Sequence, residues 1–273
     1  MSVLPSDVQA REELKHDVRP VNAGIPAARG KETDLKFEIH PTASPTSEKE
    51  RAAKLVDPGF GRVFTDHVAV VRYNQAEGWH GARIEPRANF SLDPAAAVFH
   101  YAQEIFEGLK AYKRDDGGVN LFRPDANARR FLSSAERMAM PALPEPVFLE
   151  AVEQLVRIDR AWIPGGEGSL YLRPFMIASE VFLGVKPSAE YIFAIIASPV
   201  GSYFKGGPAP VSIWVSENYT RAAIGGTGAV KCGGNYAAQQ RPPRGKPALQ
   251  RPADRHCHQR DAEQHPRPQR SEK

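Results

Sequence analysis

Cysteine is nearly missing from this sequence: Cys232 and Cys257 are the only two in 273 residues. Two thiols cannot build a disulfide framework, and they suit a reducing compartment. Long apolar runs are missing too. No stretch of eighteen apolar residues occurs, and Met1 to Lys15 mixes acids and bases without an apolar centre, so the sequence offers neither a membrane-spanning helix nor a secretion signal. These absences lead to the expectation of a cytoplasmic protein. There is no Walker or dinucleotide-binding glycine pattern. His256-Cys257-His258 has metal-type ligands, but adjacent residues in an extended segment do not converge on one ion, so no metal site is expected.

Positive charge is in excess, +4 overall, and unevenly placed. From Gln239 to Lys273 seven Arg and two Lys face two Asp and two Glu, a net of +5, which leaves −1 for the other 238 residues. The basicity therefore marks the tail and gives no reason to expect specific nucleic-acid binding by the rest. The same 35 residues hold one Leu and no Ile, Val, Phe, Met, Trp or Tyr. Such a segment cannot bury a core and is expected to be disordered.

What is present reads in five parts. Residues 1–32 are polar, without sustained period, and read as a mobile leader. Residues 33–200 alternate strand and helix signals and read as one α/β domain, with 41% apolar content in the chain sufficient for a core. Strands are predicted over Leu35–His40, Val68–Tyr73, Gly81–Ile84, Gly108–Lys113, Val119–Phe122, Ser169–Ala178 and Tyr191–Ser198, with turns near Glu77-Gly78 and Asp115–Gly118. Pro41–Arg51 reads as a polar run. Helices are predicted from Asp93-Pro94 to about Tyr101, from Pro124, and from Pro146 through Trp162. A loop at 201–207 precedes a second domain beginning at 208, with a strand at Val211–Val215. The basic tail follows from 239.

One segment organises the rest: Gly225-Gly226-Thr227-Gly228-Ala229-Val230-Lys231-Cys232-Gly233-Gly234-Asn235-Tyr236, a single lysine among five glycines. Glycine lets backbone crowd a ligand while one long amine projects. Upstream, in order, lie Phe60–His67 (FGRVFTDH), His100–Tyr112 (HYAQEIFEGLKAY) and Ser169–Pro174 (SLYLRP). Together the four blocks resemble the branched-chain amino acid aminotransferases, fold type IV enzymes that use pyridoxal 5'-phosphate (PLP). The resemblance runs from about Asp57 to Ala238.

That resemblance implies a two-domain mixed α/β fold with a complete small N-terminal domain and only the start of the cofactor domain. It makes Lys231 the amine that holds the cofactor's aldehyde and moves the substrate's α-proton. Arg130 is the phosphate arginine, suited by its planar fork, and Arg129 beside it faces solvent. Tyr236 matches the tyrosine that donates to the cofactor's phenolate oxygen. Phe60, Tyr171 and Tyr203 line the substrate pocket, Tyr101 reaches in from a partner subunit of a homodimer, and Arg173 serves the second carboxylate of glutamate or 2-oxoglutarate. Glu104 and Glu107, three apart, could pair for acid/base work, but inside a family block structural roles fit them better.

The resemblance stops at Ala238, where the rest of the second domain is expected and the basic tail stands instead, as in a truncated or frameshifted chain. The acidic partner of the pyridine nitrogen and the helix-start donors of the phosphate cup belong to that missing portion, so an inactive form is one expectation. Two alternatives remain. One is a D-amino acid aminotransferase or aminodeoxychorismate lyase of the same fold; the other is a non-catalytic product whose tail binds polyanions.

Overall fold

The computed structural model describes residues 35–202, 210 and 220–237. The predicted leader, the tail, the Val211–Val215 strand and Tyr203 lie outside the described residues.

Apolar residues at alternating positions mark β7, one of two long strands at the centre of the sheet. In β7 (Ser169–Ala178) Leu170, Leu172, Met176 and Ala178 are fully buried, while Tyr171, Arg173, Phe175 and Ile177 point to the opposite face and remain partly open. β8 (Glu190–Val200) is buried on both faces, as is the first half of β2 (His67–Asn74). The hairpin partner of β2 is β3 (Gly78–Pro86), and β1 (Glu38–Ile39) adds at its outer edge. On the other side β4 (Glu104–Phe106) and β5 (Leu109–Lys113) both pair with β7, and β6 (Val119–Leu121) closes the row. The order is β1-β3-β2-β8-β7-β5-β6, with β4 beside β7. Every pairing is antiparallel except β1 with β3. The fold is mixed α/β, with helices between the antiparallel strands.

Two amphipathic helices cover one face. α3 (Pro124–Arg137) starts with proline at its first turn, where the missing N–H costs nothing. α4 (Glu145–Ile158) buries Val147, Phe148, Ala151, Val152 and Leu155 at helical spacing. Phe131 of α3, Phe148 of α4 and Phe193 of β8 form a three-ring cluster with centroids 5.5–5.9 Å apart. Each such ring contributes about 1.5–3 kcal/mol through burial. The other face is apolar over Val68, Val70, Ile192 and Ala194, packed by Phe90 and Leu92.

Several predicted bounds shift. The run read as polar ends in the start of a nine-residue helix, α1 (Glu48–Val56), capped by Ser47, which accepts from the Glu50 N–H at 3.2 Å. It buries no residue, so no apolar stripe announced it. Asp93-Pro94 does not start a helix: Asp93 accepts from the Ala95 N–H at 2.7 Å in a local turn, and α2 is only Ala97–Tyr101. α4 begins one residue before Pro146, and Trp162 falls in a separate 3-10 turn (Arg160–Trp162). The first predicted strand shrinks to Glu38–Ile39.

Candidate active site

The lysine segment is laid against β4 and α3. Alternation turns Val230 and Cys232 into the core, both 4% exposed, and sends Lys231 between them the opposite way. Phe106 of β4 donates its N–H to the Lys231 carbonyl at 2.9 Å, and the Lys231 N–H is donated to Ser134 Oγ at 3.2 Å. Gly233 donates its N–H to the Glu104 carboxylate. A Cβ on Gly233 would stand 2.5 Å from that carboxylate, so here the close approach that glycine allows is to Glu104. Asn235 braces the turn from inside, donating to the carbonyls of Thr227 at 2.8 Å and Val230 at 2.7 Å. The short helix α5 (Gly234–Ala237) follows and carries Tyr236.

The Lys231 amine donates to the Tyr236 hydroxyl at 3.2 Å and lies 4.4 Å from the centre of the Phe106 ring. Beside it opens a cavity of about 370 Å³ lined by Arg130, Arg221, Lys231, Tyr236 and residues 228–230. Three cations and a phenol around one hollow make an anion-attracting site. Among the residues lining the cavity there is no carboxylate.

α3 supplies the opposite wall by helical spacing. Asn127, Arg130, Ser134 and Arg137 form one stripe. Arg137 donates to the Gly225 carbonyl at 2.7 Å, holding the glycine-rich turn. Arg130 donates Nε–H and an Nη2–H to the two oxygens of Glu107 at 2.5 and 2.7 Å. Glu107 is fully buried and also accepts from Asn127 Nδ2 at 2.8 Å and from the Gly108 N–H at 3.1 Å. The bond to Glu107 raises the Arg130 pKa above its ordinary value. Arg129, as expected, faces solvent and pairs with Asp125 at 2.6 Å.

A second group adjoins along β7. Arg173 donates to the Tyr171 hydroxyl from Nε at 3.1 Å and Nη2 at 2.9 Å, and its guanidinium lies 4.6 Å from the Phe106 ring centre. Phe60 packs on Tyr171 with centroids 5.1 Å apart. Phe106 thus lies within 4.6 Å of both the Lys231 amine and the Arg173 guanidinium and joins the two groups. Burial pushes the Glu104 carboxyl up, against the Gly233 N–H and Arg173, which act to lower it.

Of the residues read from sequence, Lys231, Arg130 and Tyr236 meet at the cavity, and Phe60, Tyr171 and Arg173 meet beside it. Tyr101 joins neither group. Its ring stacks on Phe182 at 6.0 Å and its hydroxyl donates to the Leu183 carbonyl at 2.5 Å, while 38% of the residue stays exposed. Sequence reasoning missed Arg221 on the cavity wall, Phe106 under the amine and Ser134 behind the lysine. The spacing of Arg130, Ser134 and Arg137 was the signal available for the last.

No family model matches the chain. Curated relatives do, and their class is that of amino-group transferases. The Streptomyces coelicolor protein described as a probable branched-chain-amino-acid aminotransferase is 58% identical over 208 residues, 76% of this chain and 58% of that one. The branched-chain-amino-acid aminotransferase of Mycolicibacterium smegmatis is 54% identical over 206 residues, 75% of this chain and 56% of that one. The chain spans a little over half the length of these relatives. Over that stretch the resemblance to branched-chain aminotransferases is shown, and the relatives' names support it over the D-amino acid aminotransferase and lyase alternatives. The solved Escherichia coli branched-chain amino acid aminotransferase shares 23% identity at a TM-score of 0.45, covering 64% of this chain and 52% of that one.

Proposed function

We propose that this chain holds PLP at Lys231 and serves amino-group transfer between Leu, Ile or Val and 2-oxoglutarate. The observation that carries this reading is the convergence of Lys231, Tyr236 and Arg130 on one cavity of about 370 Å³. Those residues fit the two ends of the cofactor: an amine for its aldehyde and a guanidinium, with Arg221 beside it, for its phosphate. When bound, PLP supplies a carbonyl for amine capture and a ring that accepts electrons.

The chain's own residues divide the rest of the work. Lys231 Nζ exchanges a proton with the substrate's α-carbon, and the Tyr236 hydroxyl 3.2 Å away keeps the amine in place. Phe60, Tyr171 and Phe106 wall an apolar side chain, and Arg173, already anchored on Tyr171, offers free donors to a carboxylate. Tyr203 keeps its place in the pocket reading, on the resemblance alone. Tyr101 keeps, on the resemblance alone, the role of reaching into a second copy, and the proposed assembled form is a homodimer. Its place of work is the cytoplasm, in keeping with the sparse cysteines; among the described residues no helix is long and apolar enough to cross a membrane.

A chimera tests the function. Residues 1–238 are joined to the remaining half of the Streptomyces coelicolor relative, and glutamate formation from leucine and 2-oxoglutarate is followed. Exchange that disappears on Lys231→Ala is the predicted result; exchange indifferent to that substitution refutes it.

A further inference from the structure

We infer that Glu107 is a positioning residue for the phosphate arginine: its buried carboxylate clasps Arg130 from behind and fixes which guanidinium edge faces the cavity. The inference rests on the PLP reading above and deepens it. Arg130 has five N–H donors in a rigid plane. The clasp uses Nε–H and one Nη2–H, at 2.5 and 2.7 Å, leaving three donors. The Arg130 side chain is 56% exposed and lines the cavity, so without a partner it would sample many rotamers.

Glu107 itself has no freedom. It lies where β4 passes into β5, its N–H donated to the Pro174 carbonyl at 2.7 Å. Strand alternation sends its side chain to the helix-covered face, where it is fully buried. Asn127, one turn before Arg130 on α3, and the Gly108 N–H hold the second oxygen. A carboxylate this buried is retained only where its charge is met, and Arg130 meets it.

Two effects oppose each other. The carboxylate subtracts charge from the arginine, which weakens anion attraction, and it orients the arginine, which strengthens a directed hydrogen bond. The outer edge of Arg130 is more than half exposed to the open cavity, where charge effects are partly screened, whereas orientation persists, so orientation wins.

The test uses the full chain and two probes, PLP and pyridoxal, which differ by the phosphate. Each is titrated and trapped on Lys231 with borohydride. Glu107→Gln keeps size but places an N–H against the arginine's own N–H, and is predicted to raise the half-saturating PLP concentration roughly tenfold, the lower end of the scale seen when the orienting partner of a metal-binding side chain is removed. Pyridoxal trapping is predicted to stay unchanged. Equal weakening of both probes, or of neither, overturns the inference. Should Glu107→Gln fail to fold, Asn127→Ala removes one of the clasp's supports, and the same split, smaller, is predicted; its absence again overturns the proposal. The Arg130 Nε–H resonance separates this inference from the cofactor reading. In the free protein it is predicted to be slow to exchange and to lose that protection in Glu107→Gln; an unaltered resonance overturns the clasp, while failure of wild type to take up PLP overturns the cofactor reading.

Discussion

Phe106 donates its backbone N–H to the carbonyl of Lys231 at 2.9 Å, and its ring lies 4.4 Å from the amine of the same lysine. One residue of β4 thus contacts both the backbone and the side chain of the residue on which the proposed chemistry depends. A glycine-rich segment otherwise has high conformational freedom. The sheet edge restricts it from one side, and Ser134 and Arg137 of α3 from the other.

The clearance between Gly108 and Tyr171 leads to the first prediction. A Cβ on Gly108 would stand 3.0 Å from Tyr171 Cζ and 3.1 Å from Cε2, inside normal contact. Gly108→Ala should turn the Tyr171 ring away from Arg173 and cost about 1–3 kcal/mol of stability. Urea unfolding measures the loss. A variant as stable as wild type would show that the ring is not held there.

At the far end of β2, His67 and Asp159 form a buried pair, 7% and 2% exposed at the side chains, with Nδ1 and Oδ1 2.7 Å apart. His67 Nε2 accepts the Thr42 N–H at 3.0 Å, so Nδ1 carries the proton and donates to Asp159. The His67 N–H is donated to the other oxygen at 3.2 Å. Asp159→Ala strands two neutral donors in the core, at about 1–3 kcal/mol for each left unpaired, and should cost about 2–5 kcal/mol. Chemical unfolding at neutral pH checks it; a loss below about 1 kcal/mol would contradict it.

Glu104 predicts a pH dependence. Burial is the largest influence on its carboxyl and raises its pKa above the ordinary 4.5. A group with a raised folded pKa contributes stability in full below the unfolded value and loses it as pH climbs through the folded one. Glu104→Gln keeps an acceptor for the Gly233 N–H and does not titrate. Wild type should therefore lose stability relative to this variant as pH rises above about 4.5. Thermal melts of both proteins across that range read the difference; a difference that is flat, or wild type gaining on the variant as pH rises, would contradict the account.

How much of this was legible in the sequence depended on how local each cause was. β7, β8, the β2–β3 hairpin and α3 were readable because alternation, turn residues and an N-terminal proline lie within a few positions of one another. α1 was missed for the opposite reason: it buries nothing, so its signals were confined to the Ser47 cap and the charges Glu48, Glu50 and Lys54 at its two ends. Lys231, Arg130 and Tyr236 were found through motif resemblance, and the structure brings them to one cavity. The partnership of Glu107 with Arg130 was hidden, because 23 positions and a change of secondary structure separate them. Phe106 was hidden in a similar way: its role comes from facing a lysine 125 positions later.

The central claim is that Lys231, held by Phe106 and Ser134, is the amine that takes the cofactor. Adding PLP to the purified chain, reducing with borohydride and mapping the labelled peptides tests it most directly. The account predicts stoichiometric label on Lys231 and none there after Lys231→Ala. Label spread over surface lysines such as Lys110, Lys113 and Lys186, with Lys231 unmodified, would contradict it.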